Sequence, residues 1–124
     1  MRNACLFLLA LTYLAAAPAF AEEHPWDSGN TFLRLCSVID KSANEVTQVE
    51  GMYLMGCYAY VHGFDEGVGL VSTAPYCAPQ EVANGQMVRI LMKFIRDNPA
   101  KAHLSTGLLF LEAMKGAFPC PTGK

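Results

Sequence analysis

The stretch Asn84-Gly85-Gln86-Met87-Val88-Arg89-Ile90-Leu91-Met92-Lys93-Phe94-Ile95-Arg96-Asp97-Asn98-Pro99 decides the fold class. Val88, Leu91, Met92 and Ile95 recur at helical spacing and define one buried face, which Met87, Ile90 and Phe94 widen. Arg89, Lys93 and Arg96 stand at i, i+4 and i+7, forming a basic stripe on the opposite side. Pro99 ends the helix, because proline disfavours helical geometry in the residue before it. The helix runs from about Asn84 to Asp97.

The same periodicity extends outward. After a short connection, Ala100–Leu104, Ser105 or Thr106 caps a further helix through Ala117, with Leu108, Leu109, Leu111 and Met114 as its apolar positions. Phe118-Pro119-Cys120-Pro121 stops it. Upstream, residues 69–78 read as a loop punctuated by Pro75 and Pro79. Before that, Val46, Val49, Tyr53, Cys57, Tyr60 and Phe64 mark a helix from Glu45 to about Val68, with Asn44 as its candidate cap. Gly56, Gly63 and Gly67 interrupt it, each at about 1 kcal/mol of propensity; close approach by a neighbouring helix is the expected reason. The first helix starts near Asn30, capped by Asp27 or Ser28, and carries Phe32, Leu35, Cys36 and Ile39. No segment reads as a strand. The expected fold is all-α: four helices in two antiparallel pairs, since short connections favour antiparallel neighbours.

The N-terminus has a different character. Met1-Arg2-Asn3 is a short positive start, residues 5–17 carry no charge, and Ala19-Phe20-Ala21 follows Pro18. This is the layout of a cleavable signal peptide, residues 1–21, leaving a domain over 22–124. The apolar run falls short of the roughly 20 residues needed to span a bilayer. The expected location is therefore the periplasm. Cys5 leaves with the signal, so Cys36, Cys57, Cys77 and Cys120 remain. An even number in a small exported domain reads as disulfides, and no pair has the spacing of a structural zinc site. Helical topology selects the pairing. Cys77 precedes the third helix and Cys120 follows the fourth, so an antiparallel hairpin brings them together; Cys36 and Cys57 then face each other across the first two helices.

Charge narrows the function classes. Without Arg2 the chain holds eight Lys and Arg against eleven Asp and Glu, the wrong balance for a general nucleic-acid binder. Residues 22–80 carry two basic and eight acidic groups, and 81–124 carry six and three. Such a split steers protein encounters more than it adds affinity. No catalytic set emerges. His62 and His103 have no free thiol to activate once the cysteines are bridged, and Asp65-Glu66 are adjacent on a helix, pointing in different directions. No phosphate-binding glycine loop, metal-ligand pattern or cofactor motif occurs. The expectation is a non-enzyme without cofactor or metal.

Several short motifs, in order, resemble the Rap/Tai family of type VI secretion immunity proteins: Tyr76-Cys77-Ala78-Pro79, Gly85-Gln86-Met87-Val88, Phe94-Ile95-Arg96-Asp97-Asn98-Pro99, His103-Leu104 and Ala117-Phe118-Pro119-Cys120-Pro121. Phe32-Leu33-Arg34-Leu35-Cys36 and the Cys57–Tyr60–Gly63 stretch are similar to the family's first two helices. The resemblance implies a periplasmic all-helical protein, in several members a homodimer, that sterically blocks a cysteine amidase acting on peptidoglycan. It also implies a protruding inhibitory loop, which falls here on Asn98, Pro99, Lys101 and His103; the basic stripe Arg89, Lys93 and Arg96 is a second candidate contact. Ala100 and Ala102 depart from the acidic residues common in the family's loop. The competing class is a periplasmic binding or chaperone-like helical module without a toxin partner, which acquires positive charge in acid.

Overall fold

The Ser28 Oγ accepts from the Thr31 N–H at 3.3 Å and so caps α1, Gly29–Cys36. The computed structural model describes residues 27–71 and 73–121; the expected signal peptide, 1–21, lies outside the described residues. The remaining helices are α2, Gln48–Gly69, α3, Asn84–Asp97, and α4, Thr106–Ala117. Short 3-10 turns cover Ser37–Asp40, Ala43–Glu45 and Pro99–Lys101. The fold is all-α with four helices, and no strand occurs among the described residues.

Both disulfides form as the helical topology required, Cys36–Cys57 and Cys77–Cys120. The first couples α1 to the middle of α2, and one turn away the Phe32 and Tyr60 rings meet with their centroids 6.2 Å apart and their planes tilted by 56°. Contacts that descend α1 while climbing α2 define an antiparallel pair. The second disulfide joins the approach to α3 to the exit from α4, beside a Cys77 N–H that donates to the Phe118 carbonyl at 2.9 Å. Helices α3 and α4 form the second pair and pack more extensively than any other two elements.

The expected face of α3 is buried in full: Met87, Val88, Leu91, Met92 and Ile95. Two other faces follow expectation in part: Leu109 and Met114 of α4 are buried, and Cys57, Tyr60 and Phe64 of α2 lie in or against the core. In α4 the core takes Thr106, Leu109, Phe110, Ala113 and Met114, while Leu108 is 45 % exposed. In α2 only Cys57 and Val61 are fully buried, and Val49, Met52, Tyr53 and Met55 lie on the surface. The start of α2 also moves. Asn44 sits in a 3-10 turn, and the cap is Thr47, which with Glu50 forms a capping box: each side chain receives the other residue's backbone N–H. A hydrogen bond from Lys41 and the Thr47 N–H hold the Glu50 carboxyl down, to about 2.

Two glycines bring elements into contact. A Cβ on Gly29 would stand 2.5 Å from Leu109 Cδ1 and 3.0 Å from the Ala102 carbonyl oxygen. One on Gly107 would stand 2.7 Å from the Phe64 ring, which packs edge-on against Phe110 at 5.2 Å. Gly63 and Gly67, by contrast, face open space with nothing within 4 Å of a Cβ. Close helix approach, expected at those two positions, is not the reason for them.

Candidate partner-binding surfaces

The connection between α3 and α4 is a tight corner. The Asn98 side-chain amide donates to the Phe94 carbonyl at 2.8 Å. Backbone bonds Lys101→Asn98, Ala102→Pro99 and Leu104→Lys101 close successive turns. Ala102 is buried, and the departure from an acidic residue there follows, since an unpaired buried carboxylate would be costly. The carbonyls of Ala102 and Leu104 accept from the Asn30 and Gly29 amides at 2.8 and 3.1 Å, satisfying two of the N–H groups that a helix start leaves unpaired. Pro99, Ala100 and His103 face solvent. Lys101 pairs with Glu112 at 2.6 Å and lies over the Phe94 ring.

The basic stripe is present but internally matched. Lys93 pairs with Asp97 at 2.6 Å, Arg96 with Asp40 at 3.3 Å, and Arg89 donates to the Ile39 carbonyl at 3.2 Å. These residues and Met92 line a shallow 300 Å³ pocket. Lys101 does not join it, so the structure keeps the stripe and the corner as two surfaces. His62 and His103 are both exposed and far apart in the chain, and the four cysteines that a histidine would activate are bridged.

The opposite end of the bundle holds features that periodicity does not reveal. A 730 Å³ groove runs between the end of α2, the 74–82 connection and the start of α3. Asp65, Glu66, Val68, Leu70, Tyr76 and Met87 are among its walls. The Tyr76 hydroxyl donates to Asp65 Oδ1, and burial, followed by that hydrogen bond, pushes the phenol above its usual range. Beside it Phe64, Gly67, Val68, Val71, Pro75 and Leu111 line most of a 420 Å³ apolar cleft. Leu70 and Val71 protrude at the rim, 89 % and 55 % exposed. The sequence signal was Asp65-Glu66 in a helix whose last turn contains no basic residue.

Among the described residues these surfaces offer grooves, matched charges and bridged cysteines, and no group of His, Cys, Asp and Glu suited to hold a metal ion. Scaffold and surface together define a small, disulfide-stapled helical binding domain. The chain belongs to the family of Rap1a immunity proteins, which it matches over residues 28–120. Membership implies an inhibitor of a toxin effector rather than a catalyst. No curated protein and no solved structure matches the chain.

Proposed function

We propose that this chain is a periplasmic immunity protein that binds a peptidoglycan-degrading cysteine amidase, delivered by a type VI system, and sterically blocks its cleft. The observation that carries the reading is the extent of the family match. It runs from Ser28, the cap of α1, to Cys120, the last bridged cysteine, and so spans the whole helical unit. Two disulfides fit an oxidising compartment, and residues 1–21 would direct export and be removed. The corner bearing Asn98, Pro99, Lys101 and His103 is the inhibitory element carried over from the family. Its hydrogen-bonded turns support the role, because a pre-ordered element loses little conformational freedom on binding. Arg89, Lys93 and Arg96 supply a second contact, to an acidic surface of the effector. A homodimer would cover the exposed α2 face of Val49, Met52, Tyr53 and Met55.

The test is protection and stoichiometry. Cells making a neighbouring-gene amidase in the periplasm should survive when they also make this chain, and one equivalent of the domain 22–124 should silence the purified amidase without turnover. His103→Ala, at an exposed position of the corner, should weaken that inhibition while leaving the melting curve in place. Absence of an adjacent amidase gene, together with no protection, removes the proposal.

A further inference from the structure

Arg89, Lys93 and Arg96 of the α3 face and Lys101 of the corner each have a partner within the chain, whereas Glu66 at the end of α2 has none among the described residues. Lys93, Arg96 and Lys101 each form an ion pair with Asp97, Asp40 and Glu112. Glu66 lines the groove, and Glu81 lies between two further lining residues, Gln80 and Val82. Both are exposed, and neither has a hydrogen-bond or ion-pair partner among the described residues. Among the described residues no Lys, Arg or His lines the groove. The placement also works against folding. Glu66 stands in the last turn of α2, where the helix carbonyls already present partial negative charge and a cation would be favoured. Stability alone would not select this arrangement.

The apolar half is equally open. Val68 lines both the groove and the apolar cleft, so the end of α2 forms a ridge with a carboxylate-bearing trough on one side and an apolar pocket on the other. Gly67 lines that pocket without a side chain, and a Cβ there would meet nothing within 4 Å. The Tyr76–Asp65 hydrogen bond and the Cys77–Cys120 disulfide fix the far wall, so the trough is built before anything enters it.

We infer that the end of α2 is a docking site for an extended segment of a partner protein that carries lysine or arginine next to a bulky apolar residue. The cation lies in the trough beside Glu66 and Glu81, and the apolar side chain enters the cleft against Phe64 and Leu111. Charge complementarity selects this occupant. An anionic bilayer surface would be repelled by unpaired carboxylates, and a second copy of this chain is a poor source of cations because, among the described residues, every Lys and Arg but Lys115 already has a partner. The inference goes beyond the corner contact and rests on the reading of this chain as a protein binder.

The test uses the oxidised domain 22–124 and two capped peptides, Ac-Ala-Lys-Phe-Lys-Ala-NH2 and its Glu-Phe-Glu counterpart, titrated by nuclear magnetic resonance. The Lys peptide should shift the amides of Glu66, Val68, Gly69 and Val82, weaken with salt, and bind at least about tenfold tighter than the Glu peptide. Glu66→Lys with Glu81→Lys should cost about tenfold in that affinity, and Gly67→Leu should weaken it by filling the cleft. Equal binding of both peptides, shifts confined to Arg89, Lys93 and Arg96, or no shift at millimolar peptide would overturn the inference. So would sedimentation showing that Glu66→Lys dissolves a dimer, which would make the site a self-contact. Neither peptide contains any part of an effector, so a negative titration leaves the immunity reading intact, and failed protection leaves this one intact.

Discussion

The two ends of the helical bundle are finished in opposite ways. At one, Gly29 packs against Leu109, α1 donates its first amides to the carbonyls of Ala102 and Leu104, and Lys101 meets Glu112. At the other, a long connection leaves Leu70 and Val71 in solvent and Glu66 and Glu81 unmatched, with one disulfide and the buried Tyr76 as its main ties. Packing and hydrogen bonds close the first end; a covalent bond stands in for them at the second. The difference teaches where stability is concentrated and where surface has been left available.

The contrast can be broken most forcefully at the disulfide. Replacing Cys77 and Cys120 with alanine frees a loop of 43 residues' separation and should cost on the order of 4 kcal/mol by the chain-entropy estimate. Hydrogen exchange should then show protection lost around residues 74–82 while the Gly29 and Asn30 amides stay protected; a uniform loss would mean that the ends are not separable. Next come two glycine substitutions of opposite sign. Gly29→Val should destabilise by about 1–3 kcal/mol in urea melts, because it forces Leu109 and Ala102 apart. Gly67→Ala should stabilise by up to about 1 kcal/mol, since the added methyl meets nothing and favours the helix. Glu66→Lys should raise stability by about 0.3–1 kcal/mol, an effect that added salt reduces.

The smallest effect is one of pH, at the capping box of α2. Glu50 is held at about 2 in the folded chain, below its ordinary value of 4.5. Its contribution is therefore complete above about pH 4.5 and is lost as pH falls towards 2. Glu50→Gln should flatten that part of the stability profile, measured between pH 5 and 2.

The helices were legible wherever burial and period coincide. Val88, Leu91, Met92 and Ile95 recur on one face, and that face is the core in fact. The same reasoning held for the second half of α2, where Cys57, Tyr60 and Phe64 meet the core, and failed in the first half, where apolar residues run most of the way round and only tertiary packing decides that Leu54 turns inward while Val49, Met52, Tyr53 and Met55 turn out. Thr47 and Glu50 were a readable capping signal, masked by the nearer polar cluster ending at Asn44. Charge matching was not readable. Arg96 meets Asp40 across 56 positions of chain, and no local pattern announces such a pair. The groove at the end of α2 was hidden for the same reason, being assembled from α2, the 74–82 connection and α3. Its one local trace was Asp65-Glu66 without a neighbouring cation.

The order of the disulfides also bears on how the chain is made. Cys36 joins Cys57 and Cys77 joins Cys120, so among the four described cysteines each pairs with its neighbour along the chain, Cys5 being one that the proposed signal cleavage would remove. A polypeptide oxidised from its N-terminus as it emerges therefore reaches native pairing directly, with no wrong bond to undo. Timing matters more for the first bond than for the second. Cys36 and Cys57 end with no solvent exposure, whereas Cys77 stays at the surface. An oxidant must reach the first pair before the core closes over it, but can complete the second on an already folded domain.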